Sequence, residues 1–501
     1  MVSIFILGMC KGDRYDMNKK PNIIFILTDD QGAWAMHCAG NGDVHTPNLD
    51  RIAAQGIRFN NFFCASPVCS PARASILTGT IPSCHGVQDW LSGGNLPADL
   101  KQIQGHSGYE KETIPFQYTQ HLTAYTDLLK ENGYYCALSG KWHLGDSLTP
   151  QHGFSEWYTI GRGGCAYFQP DIVENGKLEF KDSYVTDLIG ENARKTLKML
   201  VEGGTPFYLS VHFTAPHSPW DEKDHPKEYL DLYRDCTFEA TPDLPIHPNQ
   251  VKTCPYGTGE RRKELLRGYY AAITAMDNQV GLILDLLDEL GLQQDTLIMF
   301  TSDNGMNLGQ HGIWGKGNGT YPQNMYDSSV KVPFLASWKG HIPENQVCEA
   351  MCSHYDIFPT FMELLQLSGN VKQKLPGRSF VKWLEHPQEK DERSIVIVDE
   401  YGPVRMVRNH DWKLVQRYPE GPNELYHLSQ DPDEEVNLYE MSRYEEQALR
   451  MRKQMEHIFV EYGDPELDGT KESVHGTGQF GPVGKFSVNT TRFEGVPDKA
   501  D

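Results

Sequence analysis

Cys69 stands directly before Ser-Pro in the stretch PVCSPARASILTG, Pro67 to Gly79. Ser is a preferred N-cap and Pro is tolerated at the first position of a helix. Ala72, Ala74, Ile76 and Leu77 then read as helical. The stretch therefore predicts a thiol beside the positive end of a helix dipole, where anions bind and thiol pKa values fall. Arg73 follows within one turn. The same residues equally describe a small buried hydrophobe next to a capped helix.

Oxygen-bearing pairs suggest a second kind of chemistry. Asp29-Asp30 closes the apolar run NIIFILT, and Asp303-Asn304 closes another in FTSDNG. Successive residues of a strand face opposite sides, so two neighbours serve one site only where the strand ends and turns. Strand ends are also where α/β folds bind ligands. Together the pairs would make an oxygen-rich site for a hard cation such as Ca²⁺ or Mg²⁺. Each pair alone reads as readily as a cap or an Asx turn. Lys141 and His143, in GKWHLG, are two apart and share a side in extended chain. His217 follows a strand in TAPHSPW, and GQHGIWGKGNG carries His311 and Lys316. Taken singly, each is as readily a structural histidine or a solvated lysine.

These residues need elements to hold them. Asn22 to Thr28 has the length and unbroken apolarity of a strand buried on both faces. Helical patterns over TPNLDRIAAQG, TAYTDLLKENG, about 184–202 and about 261–291 alternate with the strands PFYLSVHF, TLIMFTS and VPFLASW. Such alternation predicts an α/β fold with a largely parallel sheet. The pattern changes after about residue 375. SIVIVDEYG, VRMVRNHDWKLVQRY and NELYHL read as short antiparallel strands, and RYEEQALRMRKQMEHIFVEYG as a closing helix. The expected organisation is an extended start or flexible arm over 1–20, a main domain over 21–375, a smaller α+β domain over 376–463, and a tail over 464–501. The tail is either disordered or folded back onto the body near the active site.

The 501 residues suffice for a sizeable core, and the net charge of −21 argues against a nucleic-acid partner. It also favours short substrates over a long polyanion. No apolar run is long enough to span a bilayer, so no membrane partner is expected. Eleven cysteines without CxxC pairing suggest free thiols and a reducing compartment. The N-terminus has no basic n-region and no small-residue cleavage site. A cytoplasmic location is the expectation, with a secreted or periplasmic one left open.

Together the segments resemble one family. CSPAR…LTG is similar to the signature C-x-P-x-R-x-x-x-L-T-G of the type I, formylglycine-dependent sulfatases. TPNLDRIAAQGIRFNNFF, GKWHLG, PHSP, TSDNG, GKG…MYD…KVP and ELYHLSQDPDEEVNL occur in the family's order, over about 22–440. The resemblance implies an alkaline-phosphatase-like α/β fold, with a large mixed sheet flanked by helices and a smaller C-terminal domain containing an antiparallel sheet. It implies that a formylglycine-generating enzyme, reading Pro71 and Arg73, oxidises Cys69 to Cα-formylglycine. Asp29, Asp30, Asp303 and Asn304 would hold Ca²⁺, with Mg²⁺ less fitting, and the metal would also contact residue 69.

The implied activity is that of a sulfuric ester hydrolase. Arg73, Lys141 and Lys316 would neutralise sulfate charge, Asp303 would act as base, and His217 as leaving-group acid. His143 would take a proton when sulfate is released. His85 and His311 match motif positions and are expected at the substrate or in support. Trp90 or Trp220 would stack on a sugar face. Asp327 stands where the family often has Glu. The expected substrate is a sulfated mono- or oligosaccharide. A formylglycine-dependent phosphonate monoester hydrolase or phosphodiesterase, and an inactive glycan-binding relative, are the alternatives.

Overall fold

The computed structural model describes residues 20–391, 397–487 and 492–500. The expected arm over 1–20 lies, save for Lys20, outside them. Strands β1 (Asn22–Thr28), β2 (Gly56–Phe63), β3 (Tyr135–Gly140), β4 (Phe154–Ile160), β5 (Asp171–Glu174), β6 (Lys177–Phe180), β7 (Phe207–His212) and β8 (Thr296–Ser302) belong to one sheet. After a two-residue ribbon, β9 (Asn307–Leu308) with β10 (Trp314–Gly315), the chain returns to that sheet with β11 (Phe334–Ser337) and β12 (Gln346–Ser353). The order across its ten strands is β12-β2-β11-β8-β1-β7-β3-β4-β5-β6. The centre is parallel, as read from the sequence. The sheet as a whole is mixed, because β11 runs antiparallel to β2 and β8, and β5 runs antiparallel to both β4 and β6.

β1 is buried from Ile23 to Thr28 because both its edges and both its faces are covered. Ile23, Phe25 and Leu27 enter one core and Ile24 and Ile26 the other. The second core is sealed by helices Val185–Gly203 and Gly259–Glu289. Register fixes the site. Thr28 pairs with Ser302 and Leu27 with His212, so three parallel strands end at one level. Gly140 of β3 also pairs with His212. Asp29-Asp30, Asp303-Asn304 and Lys141 therefore leave the sheet side by side.

The smaller sheet has the order β13 (Ile397–Tyr401), β14 (Val404–Arg408), β15 (Trp412–Arg417) and β16 (Glu424–His427), all antiparallel. Helix Glu445–Tyr462 lays Met451, Met455 and Phe459 on Val407, Leu414 and Leu425 in a third core. Asp327 ties this sheet to the larger one. Its carboxylate accepts from Arg408 at 2.5 and 2.6 Å and from Lys413 at 2.7 Å. Among the described residues no helix is long and apolar enough to cross a membrane.

Candidate active site

The Cys69 helix begins two residues earlier than the cap signal predicts. It spans Cys69–Thr78 with Val68, in extended conformation, at its N-terminal flank. Ser70 is not the cap, because its hydroxyl accepts instead from the Leu91 amide at 3.0 Å. All ten residues of the helix are buried, including Arg73.

Cys69 Sγ lies 3.3 Å from Asp29 Oδ1, 4.0 Å from Asp30 Oδ1 and 2.8 Å from Lys316 Nζ. Lys316 also donates to Asp30 Oδ1 at 2.5 Å, and Asn304 Nδ2 to the same oxygen at 2.8 Å. Lys141 Nζ donates to Asp29 Oδ2. Arg73 donates from Nε to Asp303 Oδ2 at 2.8 Å and from Nη1 to the Lys141 carbonyl at 3.0 Å. His217 Nε2 stands 3.6 Å from Asp30 Oδ2 at the partly exposed side of the cluster. Its Nδ1–H donates to the Ser218 carbonyl at 2.7 Å. His143 is buried, and its Nε2–H donates to Leu91 O at 3.0 Å while Nδ1 has no partner.

Charge placement decides the protonation states. Burial works against ionising Asp29, but Lys141, His217, Arg73 and Lys316 outweigh it and hold its pKa well below the usual value. Burial and Asp29 push Asp303 up to about 7, against Arg73 and Lys141. Burial and Asp29 also push the Cys69 thiol above its ordinary value, although Lys141 and Lys316 oppose them. This corrects the expectation of a lowered thiol pKa, since burial, with Asp29 beside the sulfur, outweighs a helix dipole. Burial, Lys141 and Arg73 keep His143 neutral, and burial lowers His217 despite Asp30 and Asp29.

The residues fit a hard cation. One ligand oxygen each of Asp29, Asp30 and Asp303 lies within 4.8 Å of the others. Asn304 Oδ1 is buried with no partner beside them. An all-oxygen set of this kind suits Ca²⁺ or Mg²⁺. Arg73 Nη2 is likewise buried and unpartnered, leaving N–H donors for an anion.

Cys69, His143, His217 and Lys316 line one cavity of about 800 Å³, together with Trp90. The tail forms part of its wall through Gly476, Thr477 and Glu494 to Asp498. Trp90 donates to the Gly476 carbonyl at 3.3 Å, and Asn318 to the same oxygen at 3.0 Å. Three residues expected near substrate are placed elsewhere. Trp220 is fully buried, with its indole N–H on Pro216 O and its ring edge on Tyr269, so it has no face for a sugar. His85 is buried against Ser75 at 3.1 Å and accepts from the Val87 amide, which makes it a support of the Cys69 helix. His311 stacks on Tyr326 at 3.8 Å, outside the cavity lining.

Two histidines, half-buried His212 and buried His354, escaped the sequence reading. His212 Nδ1 donates to the Lys141 carbonyl and His354 Nε2 to the Ser302 carbonyl, both at 3.0 Å, so each pins a strand end that carries a site residue. Nothing in the local sequence separates them from ordinary core. Arg162 was also missed, although its setting in Gly161-Arg-Gly-Gly164 is a glycine-rich signal that could have flagged it.

A mixed sheet whose parallel strand ends gather three carboxylates, two lysines and an arginine around one cysteine defines a hydrolase of anionic esters. The chain belongs to the sulfatase family: the family model described as Sulfatase matches residues 21–367, and that described as N-sulphoglucosamine sulphohydrolase, C-terminal, matches 309–461. It is therefore a sulfuric ester hydrolase. It is 25% identical over 545 residues to N-acetylglucosamine-6-O-sulfatase of Bacteroides thetaiotaomicron, covering 93% of this chain and 91% of that one. A solved structure in complex with its substrate D-glucosamine-2-N,6-O-disulfate superposes with a TM-score of 0.72 at 23% identity, covering 91% of this chain and all of that one. The phosphonate monoester hydrolase of Agrobacterium radiobacter shares the fold at a TM-score of 0.67 and 20% identity, covering 88% and 96%.

Proposed function

We propose that this sulfatase hydrolyses a sulfate ester on a short sulfated carbohydrate, with residue 69 as the point of attack. The observation that carries the reading is the convergence of Asp29, Asp30 and Lys316 on Cys69 Sγ, which lines an open cavity. A cavity of this volume falls within the ~300–1,000 Å³ of small-molecule sites, so it suits a mono- or disaccharide. The named substrates of the two sulfated-sugar relatives support the same class.

Converted to formylglycine by a maturation enzyme, residue 69 would supply the two hydroxyls of a hydrated aldehyde, one for attack on sulfur and one for sulfate release. Ca²⁺ held by Asp29, Asp30, Asp303 and Asn304 would supply positive charge against the sulfate oxygens. The protein's own part is charge and proton placement. Arg73, Lys141 and Lys316 roughly balance three carboxylates, so a dication makes the floor net positive and draws an anionic ester in. Arg73 Nη2 offers its unused N–H groups to a sulfate oxygen. Lys316 Nζ, beside residue 69, stabilises negative charge there. His217 Nε2 delivers a proton to the departing oxygen; its neutral resting state becomes cationic more readily once an anionic ester is bound. His143 Nδ1, its lone pair unpartnered, accepts a proton at residue 69 as sulfate departs.

The test has two parts. Peptide mass spectrometry on protein from its native host should find the Cys69 thiol replaced by aldehyde, and Cys69→Ala should fold but lose turnover. A screen of defined sulfated mono- and disaccharides, run beside matched phosphonate esters, should then find higher kcat/KM for a sugar sulfate. Undiminished activity of Cys69→Ala would refute the nucleophile, and a preference for the phosphonates would refute the substrate class.

A further inference from the structure

Arg162 is held as rigidly as a site residue, yet nothing in the chemistry above uses it. Its guanidinium carbon lies 3.8 Å from the centroid of the Tyr109 ring. Nη1 donates to the Gly108 carbonyl. The close approach needs glycine there: Gly108 has φ +86°, and a Cβ on it would lie 2.4 Å from Nη1. The nearest carboxylate, Asp171, is 3.8 Å from Nε, beyond hydrogen-bond distance, and is already satisfied by the Tyr109 hydroxyl at 2.8 Å. The cation is thus stacked and oriented but makes no forked pair with an acid. Among the described residues no carboxylate pairs with Nη2, Nε is buried with no hydrogen-bond partner, and Arg162 lines the same cavity as Cys69.

Its position in the chain places it on the leaving-group side. The next residue, Gly163, is so close to His143 that a Cβ would lie 2.0 Å from Nε2. The one after, Gly164, would put a Cβ 4.0 Å from His217 Cε1. One short turn therefore passes both histidines, and the Arg162 it carries lines the same cavity as they do. The cavity is also lined by Lys111, paired with Glu494 of the tail, by Lys316 of the site, and by Lys252.

We propose that Arg162 reads a second negative group, a carboxylate or a further sulfate, on the sugar that carries the scissile ester or on its neighbour. A planar guanidinium whose Nη2 is not taken by an acid is the kind of group that recognises such oxyanions. The inference rests on the carbohydrate-sulfatase reading above and narrows it to polyanionic saccharides.

The experiment measures kcat/KM of the matured enzyme on three substrates: a monosulfated sugar with no other charged group, the same sugar with a second sulfate, and the same monosulfated sugar joined to a uronic acid. Wild type should prefer one doubly charged substrate over the singly charged one by at least about tenfold, the scale of a charge-assisted hydrogen bond. Arg162→Gln should collapse that ratio to within about twofold, mainly through KM, and Arg162→Lys should keep part of it. Binding to the Cys69→Ala protein, read by calorimetry, should show the same preference and lose it when Arg162→Gln is added. The preferred arm identifies the anion as sulfate or carboxylate. No preference in wild type, or a ratio that Arg162→Gln leaves intact, overturns the proposal while the carbohydrate reading stands. Turnover of an aryl sulfate with no turnover of any sugar sulfate removes both.

Discussion

Replacing Gly163 with alanine puts a methyl carbon 2.0 Å from His143 Nε2, 2.1 Å from Cε1 and 2.5 Å from Cδ2. An ordinary carbon contact needs about 3.5 Å, so the ring or the 161–164 turn must withdraw by about 1.5 Å. His143 has little room, being buried with φ +57° and tied by its Nε2–H to Leu91 O at 3.0 Å. Breaking that bond leaves a buried carbonyl unsatisfied at ~1–3 kcal/mol, and overpacking adds a similar amount. A displacement beyond 1 Å at a reacting group costs on the order of 10²-fold in rate. Gly163→Ala should therefore lower kcat by about two orders of magnitude while the protein still folds. Because His143 is assigned to sulfate release, the loss should have a distinctive form. Rapid mixing with an aryl sulfate should give a burst of one equivalent of alcohol per active site, followed by a slow steady state. His143→Ala should give the same burst. A Gly163→Ala enzyme with wild-type kcat, or one that loses the burst together with the steady state, would refute the assignment of His143 to the second half of the reaction.

His217→Ala should hurt poor leaving groups most, so kcat/KM should fall at least about tenfold more on a sugar sulfate than on an aryl sulfate; equal losses would leave Lys316 as the acid. Asp303, pushed up to about 7 in the metal-free site, favours the folded state in its protonated form, so its contribution to stability is full at low pH and is lost as pH rises from about 4 through 7. Ca²⁺ should reverse that loss, so the melting-temperature gain on adding Ca²⁺ to chelated protein should grow from pH 5.5 to 8, and calorimetry near pH 6.5 should detect proton release; a gain independent of pH would count against Asp303 as a ligand. Asp327→Asn takes the carboxylate from Arg408 and leaves Lys413 with Glu434 alone, and should cost about 3 kcal/mol in urea unfolding with little change in KM; a cost below about 1 kcal/mol would show that the ion cluster is not what joins the two sheets.

The chemistry of this protein was written locally, and its geometry was not. NIIFILT announces a buried strand because only continuous apolarity survives burial on both faces, and an acid pair at its end cannot be mistaken for core. The signature around Cys69, the order of the histidine and lysine segments and the change to short strands after about 375 carried the family and the fold class. Local patterns could not say that Asp30 and Asp303, 273 residues apart, would meet with the Asp30 amide 3.2 Å from Asp303 Oδ1, because that depends on the register between two parallel strands. Nor could they sort equivalent residue types. Trp90 lines the cavity and Trp220 is sealed in the core, His143 faces the site and His85 braces a helix, and each outcome is set by what packs from elsewhere in the chain. The Ser70 cap failed for the same reason, since a hydroxyl that could serve its own helix was taken by the distant Leu91 amide. Only the tertiary structure brought Tyr109, Asp171 and the glycines at 108 and 163 together around Arg162 and His143, because a steric cradle exists only once its separate segments have been packed against each other.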